Sequence, residues 1–104
     1  MINADDPAIK ALLTAWHEAG RAAFEAQFKS LDYDSREYIK TAKQGRKYIN
    51  LDDGTSGAFM VDRATGVVYN IKAYGVPHKR LVAGTVATVT GAMLDARRWA
   101  RLRA

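Results

Sequence analysis

The feature that most limits how this chain can fold is a change of hydrophobic period near its middle. From residue 9 to residue 28, apolar or small side chains recur every three or four positions, at Ile9, Leu12, Leu13, Trp16, Gly20, Ala23, Phe24 and Phe28. At 100° per residue these fall on one side of a helix, with Lys10, Glu18, Arg21, Glu25 and Lys29 on the other. After Gly45 the pattern alternates over residues 47–51, 58–61 and 67–72, and each interval carries turn chemistry. A helix-period stretch followed by alternating stretches specifies an α+β domain. The expectation is a three- or four-stranded antiparallel sheet packed against a long N-terminal helix, with a C-terminal helix. Approximate bounds are 7–29 for the first helix, 46–89 for the sheet and 92–103 for the last helix, all within one domain spanning 1–104.

Local signals sharpen these bounds. Asp6 suits an N-cap and Pro7 the first helical position, where a missing N–H costs nothing. Gly20 falls on the buried stripe, which implies close packing there. A strip of Ala11, Ala15, Ala22 and Ala26 runs beside the stripe. It would admit the sheet, or the same helix of a second copy in a homodimer. Asp34 followed by Glu37 resembles a capping box and predicts a short helix over about 35–43, with Tyr38, Ile39 and Ala42 as its thin apolar face. Asp62-Arg63-Ala64-Thr65-Gly66 is the strongest turn signal, with Asp opening a type I turn and Gly66 in the left-handed position that closes it. Residues 73–80 read as a loop, because Gly75 and Pro77 break both periods. Residues 81–84 and 85–89 would add an edge strand. The core is expected to hold Leu13, Trp16, Phe24, Phe28, Ile49, Leu51, Phe59, Val61, Val67, Tyr69 and Ile71.

Composition removes several function classes. The 104 residues, 48% of them apolar, can bury a core without a metal or disulfide. There is no cysteine, so thiol nucleophiles and cysteine-built metal sites are excluded. With two histidines, His17 and His78, no metal or other cofactor is expected. No stretch approaches the roughly 20 apolar residues that span a bilayer, and the N-terminus lacks the basic start and apolar run of a secretory signal. A cytoplasmic protein without membrane contact is expected.

Charge is unevenly spread. Residues 1–34 hold three basic and six acidic side chains, whereas residues 35–104 hold thirteen and five, for a net charge of +5 overall. A basic body favours an acidic protein surface or a polyanion as partner, though it also serves solubility. Two basic groupings are the candidate binding residues: Lys72, Tyr74, His78, Lys79 and Arg80 in the segment around Pro77, and Arg97, Arg98, Arg101 and Arg103 at the end. The helix dipole accounts for one or two of those arginines. Tyr48, Tyr69 and Tyr74 beside Lys47 and Lys72 would suit base stacking and phosphate pairing in a single-strand binder. Ordinary strand placement explains the tyrosines equally well. No nucleophile–base pair, EF-hand loop or phosphate-cradling glycine loop is present, and His17 reads as a helix-flank residue. No catalytic residue is assigned.

The run Lys47-Tyr48-Ile49-Asn50-Leu51-Asp52, then Gly57-Ala58-Phe59-Met60-Val61-Asp62, then Thr65-Gly66-Val67-Val68-Tyr69-Asn70-Ile71-Lys72-Ala73-Tyr74-Gly75-Val76-Pro77-His78, resembles a pattern in small non-virion proteins of tailed bacteriophages, chiefly those of actinobacteria. It covers about a third of the chain and leaves the first helix and the arginine-rich end unexplained. What the resemblance implies is a setting, the cytoplasm of a bacterial host, and no mechanism. The resulting expectation is a non-enzymatic accessory protein that binds a host macromolecule, a host protein first. Nucleic acid is the alternative, through the basic loop and tail, and a small hydrolase or nuclease is the distant one.

Overall fold

Buried positions on the first helix set the architecture. Ile9, Leu12, Trp16, Gly20 and Phe24 are buried at successive spacings of three, four, four and four, which is one face of an α-helix. The computed structural model describes residues 1–27 and 39–103, except for the side chains of Gln27 and of residues 101–103. Within it the order is α1 (Pro7–Gln27), β1 (Lys40–Gln44), β2 (Tyr48–Asp53), β3 (Ser56–Asp62), β4 (Val67–Ala73), β5 (Val76–Thr85) and α2 (Gly91–Arg103). The five strands form one antiparallel sheet in sequence order. The fold is α+β, with helices at both ends of the chain as expected and more strands than expected.

Two corrections account for the extra strands. Residues 40–44, read as the end of a helix over 35–43, form β1 and pair with β2 from Lys40↔Asp53 to Gln44↔Ile49. Their side chains on the helix-covered face are Lys40, Ala42 and Gln44, too polar to show a strand period. Residues 35–38, Phe28, and the capping pair Asp34 and Glu37 lie outside the described residues. Residues 73–80, read as a loop, are instead a tight turn at Tyr74-Gly75 and the start of β5. Gly75 takes φ 79°, open to glycine at little cost. Pro77 is tolerated because β5 is an edge strand, where a missing N–H need not break a ladder. Residues 86–88, expected to extend that strand, form a turn.

Register decides which side chains enter the core. Ile49↔Val61 and Leu51↔Phe59 continue to Val61↔Val68 and Phe59↔Asn70, so these residues share the face covered by the helices. Trp16 is fully buried there and meets Phe59 edge to face, with ring centroids 5.3 Å apart at 74°. Val67 and Tyr69, expected in the core, point to the opposite face and are half-buried. Val68 and Asn70 take the inward positions instead; shifting strand parity by one residue exchanges the faces. Leu13 is only partly buried and Ala23 is exposed, whereas Phe24, Ile49, Leu51, Phe59, Val61 and Ile71 are buried as expected.

The helix starts and turns are held by specific bonds. The Asp6 carbonyl accepts the Lys10 amide at 3.0 Å, and its carboxylate turns back to the Asn3 amide at 2.9 Å. In the β3–β4 turn the Asp62 carboxylate accepts the Ala64 amide, Gly66 N–H donates to the Asp62 carbonyl at 2.8 Å, and Gly66 takes φ 78°. Arg63, in that turn, ties down the N-terminal segment. Its guanidinium donates to the carbonyls of Ile2, Gly45 and Arg46 and to Asn3 Oδ1. Thr90 caps α2 through Met93 N–H. At the start of α2, a Cβ on Gly91 would overlap the Ala15 carbonyl, so the helices cross at backbone contact. Ala11, Ala15, Ala22 and Ala26 are exposed.

Candidate functional site

A concavity lined by basic side chains lies where α2 crosses the β4–β5 edge. Between the pairs Tyr69↔Val82 and Ile71↔Pro77, β5 carries residues 78–81 opposite the single Asn70 of β4, and α2 lies beside this irregular stretch through Arg97 and Ala100. The resulting groove holds about 610 Å³ and is lined by Asn70, Ile71, Lys72, His78, Leu81, Arg97 and Ala100. That volume is in the range of ordinary ligand sites. Three of the nine expected binding residues, Lys72, His78 and Arg97, therefore meet in one place, contributed by three different elements.

Arg97 is the fixed point of the groove. It donates to Asn70 Oδ1 at 2.9 Å and to the Val82 carbonyl at 3.0 Å, so one side chain of α2 joins two strands. Both acceptors are neutral. Asn70, 6% exposed, occupies an inward strand position where its amide needs a partner, and Arg97 supplies one. His78 is half-buried, and its Nδ1 is enclosed without a hydrogen-bond partner. Leu81, 48% exposed, stands at the groove, with Val82 and Val76 comparably exposed along the same strand. Lys79 and Arg80 lie between them, also exposed.

The remaining expected residues have other surroundings. The Tyr74 hydroxyl donates to Asp52 Oδ2 at 3.0 Å, and its ring lies over Gly57. Its phenol is held above the usual range, chiefly by that hydrogen bond, then by burial and by the charge of Asp52. Arg98 pairs with Asp53 at 3.3 Å. The other oxygen of Asp53 takes the buried Lys40 ammonium at 2.8 Å, which also stands 5.1 Å from the Trp16 ring centre. Asp95, beside this cluster, has its carboxyl raised by burial; Lys40 and the Trp99 indole work in the opposite direction and Asp53 adds to the rise. The side chains of Arg101 and Arg103 lie outside the described residues. His17 is half-buried on the flank of α1 near Ile39 and Lys40.

A second surface is the sheet face opposite the helices, where Met60 is buried among its neighbours. Register places Lys43, Asn50, Met60, Tyr69 and Val82 in one row across it, with Tyr48 and Asp62 in the next. Lys47 stands 5.5 Å from the Tyr48 ring centre.

Sequence reasoning found the cations of the groove and missed its walls. Asn70, Leu81 and Ala100 carried no signal as single residues. The one available cue was an amide inside an otherwise apolar strand, which requires a buried partner once its inward direction is known. Among the described residues, no group of three or more His, Asp or Glu side chains converges to hold a metal ion, and no described helix is long and apolar enough to cross a membrane. Comparison with protein-family models, with curated proteins and with solved structures gives no match to this chain.

Proposed function

We propose that this protein is a non-enzymatic binding domain that docks an acidic, partly apolar segment of another protein in the groove between β4, β5 and α2. The observation that carries this reading is the mixture within one concavity. Lys72, His78 and Arg97 line it together with Ile71, Leu81 and Ala100. Exposed aliphatic side chains beside cations suit a peptide surface that offers both carboxylates and apolar groups. If the likeness to phage accessory proteins reflects kinship, the partner is a host protein met in the bacterial cytoplasm.

Nucleic acid is the second reading, and one observation favours it. Tyr48 and Tyr69 share the sheet face opposite the helices with Lys43, and Lys47 stands over Tyr48. Aromatic platforms with flanking cations bind single strands. Asp52 and Asp62 stand on the same face, however, and Tyr74 is engaged by Asp52, which weakens attraction for phosphates. Labelled single-stranded and duplex DNA should therefore show no saturable binding at about 50 mM salt, where attraction is weakly screened. Salt-dependent binding lost in Tyr48→Ala and Tyr69→Ala would replace the first reading with the second.

A further inference from the structure

We infer that Arg97 is the receptor for an oxyanion, a carboxylate or a phosphate group, bound in the β4–β5–α2 groove. This rests on the docking role proposed for that groove and names the chemistry it recognises.

The argument begins with what surrounds each cation. Lys40 and Arg98 share the carboxylate of Asp53, so their charges are answered inside the fold. Arg63 is enclosed by four oxygen acceptors in the turn region, with no cavity beside it among those described. Arg97 differs from all three. Its two partners, the Asn70 side-chain oxygen and the Val82 carbonyl, orient the guanidinium without neutralising it. A guanidinium has five N–H donors, and these bonds use two.

The cavity it faces is built for an anion. Among the described residues no acidic side chain lines it, and Lys72 and His78 line it from β4 and β5. Ile71, Leu81 and Ala100 complete the lining, lowering the local dielectric and strengthening each charge interaction. An orientation fixed before binding spares the ligand the entropy of ordering a long side chain. A fork held in this way matches a planar carboxylate or two oxygens of a phosphate.

The test is an amide NMR titration of the full chain in about 50 mM salt, with acetate and inorganic phosphate added separately against chloride of equal ionic strength. Saturable shifts grouped at Asn70, Lys72, His78, Leu81 and Arg97 are expected. Acetate alone producing them assigns a carboxylate, and phosphate alone assigns a phosphate group. Arg97→Gln should weaken binding about tenfold or more, because a charge-assisted pair is lost. Arg97→Lys keeps the charge without the fork and should weaken it less. Because Arg97 also joins α2 to the sheet, Lys72→Gln at an exposed position gives a second reading, a severalfold loss in a protein that remains folded. No saturable shift from either anion in the folded protein would overturn the assignment, as would shifts that Arg97→Gln leaves intact. A captured protein partner lost in Leu81→Asp but retained in Arg97→Gln would overturn the anion site and leave the docking role standing. Anion binding at Arg97 without a docked protein would leave the site and overturn that role.

Discussion

Replacing Gly91 by alanine sets two effects of opposite sign against each other, and the structure says which wins. Alanine is favoured over glycine in a helix interior by about 1 kcal/mol, and by less at a first helical position, where fewer backbone groups are fixed. A propensity argument alone therefore expects slight stabilisation. At Gly91, however, the added Cβ would overlap the Ala15 carbonyl and crowd the Trp16 amide. Both obstacles are helix backbone, which cannot turn aside as a long side chain can. Relief requires moving α2 away from α1, and Leu94, fully buried on α2, shares its core with Trp16. Overpacking of this kind costs about 1–3 kcal/mol and sometimes more. Rigid backbone on both sides places it at the upper end, for a net loss of about 2–3 kcal/mol. In a domain near 100 residues each kcal/mol moves Tm by about 4–8 °C, so a fall of about 10–20 °C is expected. Thermal unfolding followed by far-ultraviolet circular dichroism reads it directly. A Gly91→Ala protein melting at or above the wild-type temperature would show that α2 does not start against α1.

Three further outcomes follow from the packing and the charges. Trp16→Ala removes a fully buried ring and its contact with Phe59, and should cost about 3–5 kcal/mol in urea unfolding at constant m-value; a loss under about 1 kcal/mol would contradict the buried stripe. Gly66→Val asks a β-branched residue to hold φ 78° with its Cβ 3.2 Å from Ile2, so a loss of about 1–2 kcal/mol is expected, and an unchanged midpoint would refute the turn. Asp95 has its carboxyl raised in the folded state, first by burial; the contribution of this one group to stability is therefore fully present below the unfolded aspartate value of about 3.9 and is lost as pH rises through the folded value. Asp95→Asn, which keeps an oxygen acceptor for the Trp99 indole, should melt a few degrees above wild type at pH 7 and level with it near pH 3, and equal melting curves at pH 7 would show that the carboxylate carries no net penalty.

What was legible in the chain depended on whether local rules and tertiary context agreed. The first helix was readable because its buried positions are all apolar or glycine and repeat with a helical period. The 62–66 hairpin was readable because its turn requires a residue at positive φ and supplies glycine. β1 was not, because its inward set is Lys40, Ala42 and Gln44. Lys40 is admitted to the interior by Asp53 and the Trp16 ring, neither of which is near it in sequence. β5 was hidden by Pro77, which forbids a central strand and allows an edge one, and edge position is a property of the finished sheet. The parity of β4 was hidden because Val67, Val68, Tyr69 and Ile71 are acceptable on either face, so only pairing with Phe59 and Val61 selects one.

The candidate site divides the same way. Lys72, His78 and Arg97 stand out as basic groups in any reading of the sequence. Their convergence depends on the irregular pairing of β5 with β4 and on the crossing of α2, which side-chain chemistry does not encode locally. Arg97 and Arg98 are neighbours with the same side chain, yet one turns to Asn70 and the groove and the other to Asp53. Helical geometry separates them by 100°, and the composition of each helix face gives them different roles.

The measurement that bears most directly on the proposed docking role is quantitative affinity capture from a lysate of the proposed bacterial host, run in parallel with the wild-type protein and Leu81→Asp. Leu81 is half-exposed at the groove, so the substitution places a carboxylate where an acidic partner would dock while sparing the core. Capture at about 150 mM salt, where distant charge attraction is screened beyond roughly 8 Å, separates a packed interface from loose electrostatic association. The account expects one host protein, retained by the wild type and depleted about tenfold or more by Leu81→Asp at equal melting temperature. The same proteins held equally by both, or nucleic acid alone held by both, would contradict it.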